Sequence, residues 1–124
     1  MSLKTPLSRA RGLGSAKAGA AHFWHQRLTA VVLVPLTIWF VYVVVRFTGA
    51  ELGEVRHFFA NPFNAGLMLI FVLAGLYHMT LGVQVIIEDY IHRESTRLAL
   101  LVLNQFAGLA IAVICTIAIL RLAL

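Results

Sequence analysis

The 124-residue chain is 60% hydrophobic and 12% charged, against roughly 45–50% and about 25% in soluble globular domains. So short a chain lacks the interior to hide that much apolar surface from water, so lipid must serve as solvent for much of it. Its single cysteine, Cys115, excludes a disulfide framework, a CxxC redox pair and a cysteine-rich metal site. Its net charge of +5 is read by where the charges fall.

They fall at one end. Lys4, Arg9, Arg11, Lys17 and Arg27 all precede the first acid, Glu51. Such a bias marks the cytoplasmic side of a membrane protein rather than a nucleic-acid surface. Residues 1–21 read as an N-terminal cytoplasmic segment, partly flexible with Gly12, Gly14 and Gly19. Its acid-poor, Arg- and Ser-containing character also resembles a transit peptide, which keeps a mitochondrial inner membrane as the second choice after a bacterial inner membrane.

Leu28–Val45, His57–Ile87 and Leu98–Leu120 contain no Asp, Glu, Lys or Arg. A helix crosses the hydrocarbon in about 20 residues, so the chain is predicted to be all-α, an integral membrane bundle with transmembrane helices near 28–47, 65–87 and 98–120. The first apolar run is too long for a signal peptide and lacks a small-x-small cleavage site, so it is retained. Pro35 predicts a kink without a break in this helix. Asn61-Pro62-Phe63-Asn64 breaks the second interval and starts the second helix near Ala65. Continuous apolar runs argue against a β-barrel, whose strands alternate. The N-terminus is then cytoplasmic and the C-terminus periplasmic. Arg93 and Arg97 join the five basic residues inside, against Arg46, Arg56 and Arg121 outside. The whole chain forms one membrane-anchor domain.

Polar residues inside such helices carry the functional signal. His78 sits near the middle of the second span. It reads as a haem ligand, a proton relay, a site residue, or a neutral imidazole bonded to a neighbouring helix. Phe71 and Asp89 lie within about 20° of it around the helix axis, Gly82 within about 40° and Gly75 about 60° away. The two glycines leave a flat surface on which a porphyrin could rest or another helix could pack. Toward the cytoplasmic end come Gln84 and Glu88-Asp89-Tyr90. A Tyr90 hydroxyl at this depth suits either an interfacial anchor or a quinone carbonyl, with Asp89 and His92 able to pass protons. Around the mouth of the first span, Trp24 and Arg27 suit the interface, and Arg27 also suits a haem propionate. Thr29 and Thr37 bond back to their own helix. Cys115 reads as a small apolar residue in the third span. No nucleotide loop, zinc cluster or nucleophile triad is present, so the chain reads as a non-catalytic subunit that holds cofactors for others.

Arg27-x-Thr29-Ala30 opening the first span, and His78-x3-Gly82-x-Gln84-Val85-x3-Asp89-Tyr90 closing the second, resemble the D-type cytochrome b556 membrane-anchor subunit of succinate dehydrogenase (respiratory complex II). The wording around His22-Phe23-Trp24 and Ile86-Ile87-Glu88-Asp89-Tyr90 is similar to alphaproteobacterial members. The Ser-x-x-His-Arg-x-Thr-Gly motif of the companion C-type anchor is missing. The resemblance implies that His78 is an axial ligand of haem b, that Arg27 and His22 lie near propionates, and that Tyr90 binds ubiquinone with Asp89 at the same site and at proton entry. It implies three partners: a C-type cytochrome b556 anchor subunit, an iron–sulfur subunit and a flavoprotein subunit, the latter two carrying the iron–sulfur clusters and FAD. His78 is the only histidine well inside a span, so a second axial ligand must come from another chain. Two other functions compete: a small proton-coupled transporter or channel subunit, and a haem-free membrane scaffold.

Overall fold

The structure, a computed structural model, describes Leu7 and residues 16–124. The expected flexibility of the N-terminal segment falls largely outside these residues; within it, residues 16–21 are already helical. Among the described residues four helices follow in order: α1 (Ala16–Arg46), α2 (Leu52–Phe59), α3 (Pro62–Tyr90) and α4 (Glu94–Ala123). Three of them, taken over Gly19–Arg46, Pro62–Tyr90 and Glu94–Ala123, are long and apolar enough to cross a membrane.

These helices overrun the charge-free intervals at most of their ends. At 31, 29 and 30 residues each is about 45 Å long, more than the ~30 Å of hydrocarbon. A helix does not stop where its side chains turn polar, because its backbone bonds remain favourable in the headgroup region. α1 runs without a break through Pro35. α3 starts at Pro62, not near Ala65. Proline suits the first helical position, where its missing N–H is not needed, and the Asn61 side chain accepts a hydrogen bond from the Phe63 backbone N–H at 2.9 Å.

α2 falls in a stretch that the spans leave as a connection. The chain turns after α1 through Gly49, whose φ of 81° suits glycine. The next residues alternate faces at helical spacing: Phe59 is buried and Val55 and Phe58 are half-buried, while Glu54, Arg56 and His57 stay exposed. Glu54 in the first turn and Arg56 and His57 in the last complement the helix dipole. Phe58 lies against Phe47, with ring centroids 5.0 Å apart. Arg46 stands over both rings and donates to the Tyr42 hydroxyl at 3.0 Å.

α3 is the central helix. α1 and α4 each pack along it, while α2 caps the end of α3 and α4. Little of the apolar surface is covered: Val43, Phe59, Leu81 and Ile87 are the buried hydrophobics, whereas Val31, Ile38, Phe106 and Ile114 lie open. In water this exposure would be ruinous; in lipid, or against partner helices, it is expected.

The α3–α4 contact depends on close approach. Thr80 is buried, its hydroxyl donates to the Leu76 carbonyl at 2.8 Å, and its own carbonyl accepts from Asn104 Nδ2 at 2.9 Å. Gly108 lies opposite, where an added Cβ would come within 2.6 Å of Thr80 Oγ1. Gly108→Ala should therefore destabilise the unit by about 1–3 kcal/mol. Gly75→Ala, whose Cβ would stand 3.9 Å from Leu33 Cδ2, should stay within about 0.5 kcal/mol. Unfolding by graded SDS, followed by circular dichroism, measures both.

Candidate functional site

The face of α3 opposite Thr80 meets α1. His22, Gln26, Thr29, Leu33 and Phe40 recur along α1 within an arc of roughly 60°, and this stripe runs antiparallel to α3. Phe40 stacks on Phe71 with centroids 4.6 Å apart. Leu33 faces Gly75, and Gln26 lies 3.6 Å from where a Gly82 Cβ would stand. The two glycines that flank His78 thus face α1, and they give flat surface to a neighbouring helix of the same chain.

His78 is half-buried in this seam. Its Nδ1 lies 2.9 Å from Thr29 Oγ1, and its Nε2 lies 3.4 Å from Gln26 Nε2. Thr29 also bonds back to its own helix as expected, with its oxygen 2.7 Å from the His25 carbonyl and 3.1 Å from that of Gln26. A second tie lies alongside, between the Tyr77 hydroxyl and His25 Nδ1 at 2.9 Å. Among the described residues two buried polar atoms on the α1 stripe have no hydrogen-bond partner: His22 Nε2 and Gln26 Oε1. Buried polar groups are nearly always paired, and the cost of leaving one unpaired is greatest away from water.

His78 comes together with Gln26 and Thr29, and not with the other residues singled out from the sequence. Arg27 lies on the same turn of α1 but roughly 130° round from the stripe; it is exposed, with its guanidinium 4.6 Å above the Phe23 ring. Asp89 shares the His78 face of α3 but sits about 16 Å further along the helix. Asp89 and His92 are exposed, as is Tyr90, at 75%. Gln84 donates to Glu88 Oε1 at 2.8 Å, one turn along the same helix. The antiparallel register puts Arg27, Asp89 and Tyr90 toward one end of the unit, and Arg46, α2 and Arg121 at the other.

Gln26, Tyr77 and His25 were not singled out from the sequence as contacts of the site. The spacing His22, Gln26, Thr29, Leu33 carried a signal, since it repeats at helical intervals and sets three polar side chains on one face. Among the described residues no three His, Cys, Asp or Glu side chains gather at one point.

Residues 1–119 match the family model for the succinate dehydrogenase/fumarate reductase transmembrane subunit. The succinate dehydrogenase hydrophobic membrane anchor subunit of Paracoccus denitrificans is 34% identical over 120 residues, covering 97% of this chain and 92% of that protein. The corresponding subunit of Rickettsia bellii is 34% identical over 80% of this chain and 79% of its own length. A succinate dehydrogenase membrane anchor subunit of Reclinomonas americana is 32% identical over 77% of this chain and 82% of its own. No solved structure matches the chain. With three apolar spans, a family match over residues 1–119 and relatives matched over 79–92% of their length, the chain belongs to the succinate dehydrogenase/fumarate reductase transmembrane subunit family.

Proposed function

We propose that this chain is the hydrophobic anchor subunit of a succinate:ubiquinone oxidoreductase and holds one side of a haem b through His78. One observation carries the reading. His78 has its Nδ1 tied to Thr29 at 2.9 Å, while its Nε2 has one long contact, beside a buried Gln26 Oε1 that lacks a partner. Ligating histidines characteristically hold one ring nitrogen in a hydrogen bond and leave the other for the metal. The residues present therefore fit an axial ligand, provided the Gln26 amide swings aside. When bound, haem b would supply a one-electron store.

The chain's own groups have separate tasks. His78 ligates. Arg27 is exposed and open to a propionate arriving from outside the chain, and the unpaired His22 Nε2 suits a second such contact. Tyr90, exposed past the last apolar turn of α3, donates its hydroxyl hydrogen to a ubiquinone carbonyl, and Asp89 beside it organises proton entry. The side bearing these groups is cytoplasmic by the charge bias and receives the iron–sulfur and flavoprotein subunits, which oxidise succinate and pass its electrons on. A C-type cytochrome b556 anchor in the same bacterial inner membrane would hold the haem from its other side. This chain contributes binding and electrostatics, and the redox chemistry belongs to the cofactors.

One observation favours a haem-free scaffold instead: both His78 nitrogens find neighbours within the chain. The two readings separate in the purified complex. His78→Ala should abolish or alter the reduced-minus-oxidised b-type spectrum; an unchanged spectrum removes His78 as a ligand. Tyr90→Phe should lower succinate–ubiquinone turnover on the order of tenfold, the worth of one hydrogen bond. Succinate oxidation with a water-soluble acceptor should be retained, and equal loss of both activities would contradict a quinone role.

A further inference from the structure

The contacts around His78 decide more than where its ring sits. A neutral imidazole carries one N–H, on Nδ1 or on Nε2, and only the bare nitrogen can bind a metal. Thr29 has a single hydroxyl hydrogen and two carbonyl oxygens in reach, that of His25 at 2.7 Å and that of Gln26 at 3.1 Å, and both only accept. The hydroxyl therefore donates into its own helix, as serine and threonine often do there. Its oxygen remains an acceptor, 2.9 Å from His78 Nδ1. The other ring nitrogen faces the Gln26 amide nitrogen, a donor, at 3.4 Å. An acceptor on one side and a donor on the other fit one tautomer.

We propose that Thr29, seconded by Gln26, is a positioning residue that holds His78 with its hydrogen on Nδ1 and its Nε2 lone pair bare, so that this chain presents a ligand-ready imidazole. The assignment of that lone pair to haem iron rests on the function proposed above; the tautomer rests on the hydrogen bonds alone. The opposite tautomer would require the Thr29 hydroxyl to abandon both carbonyls and the Gln26 amide to turn over. Threonine also suits the setting, because an uncharged acceptor avoids the cost of a carboxylate in hydrocarbon. The Gln26 contact is longer than an ordinary N–H···N or N–H···O bond, so it steers the ring without holding the lone pair.

The test uses the intact, detergent-purified complex carrying 15N-histidine, as wild type and as the Thr29→Val, Thr29→Ser and His78→Ala variants. The His78 resonances are those that His78→Ala removes. In the wild type, Nδ1 should carry the proton. Thr29→Val keeps the shape of the side chain but loses the acceptor, so the imidazole becomes less basic. The haem midpoint potential should rise, and haem retention should fall on the order of tenfold. Thr29→Ser restores the acceptor and should keep both at the wild-type value, which a purely steric role would not require. A proton on Nε2, or a Thr29→Val complex with unchanged potential and retention, overturns the assignment of Thr29. Undiminished haem in His78→Ala overturns the ligand reading itself, and the 15N signal then still decides the tautomer.

Discussion

A hydrogen-bonding side chain in hydrocarbon has no water to turn to, and must find its partner on another helix or on its own backbone. In this chain that constraint acts mainly along one line, the seam between α1 and α3. Gln26 and Thr29 meet His78 there, and His25 meets Tyr77. These ties set the antiparallel register of α1 on α3, and Phe40 stacking on Phe71 continues it toward the other end. α4 is held on the opposite face of α3 by different means, a glycine that lets the backbones approach and an asparagine that reaches the Thr80 carbonyl. The central helix thus has one polar seam and one close-packed seam, with open apolar surface elsewhere.

The polar seam is incomplete. Among the described residues, dispersion and helix packing leave two buried polar atoms unpaired, His22 Nε2 and Gln26 Oε1. Both lie on the stripe that carries Thr29, and both lie toward the end that displays Arg27, Asp89 and Tyr90. The unpaired Gln26 Oε1, on the side chain that contacts His78, fits the proposed division of a site between chains. The exposed faces of α1 and α4 agree with a subunit whose neighbours are lipid and other helices.

Much of this was legible in the sequence, for physical reasons. The charge-free runs locate three helices because lipid tolerates few charges at depth. Their ends were harder to read, since a helical backbone remains favourable past the hydrocarbon; hence α1 begins at Ala16 and α3 at Pro62. α2 escaped notice because eight residues with two inward phenylalanines are overshadowed by the long runs on either side. His78 stood out as a titratable group among apolar ones. Its partners did not. Thr29 does bond back to its own helix, as its residue type suggests, yet the same oxygen also meets His78. Which helix lies across from Gly75 and Gly82 depended on the tertiary register, and no local pattern carries that information.

On the proposed function, this chain supplies half of a haem site and another chain supplies the rest. Haem quantification combined with native mass spectrometry of the mildly solubilised complex tests it most directly. One haem is expected for each copy of this chain, lost together with a second, different membrane subunit when the two anchors are separated. A haem that stays with this chain alone, or a complete complex without haem, would contradict it.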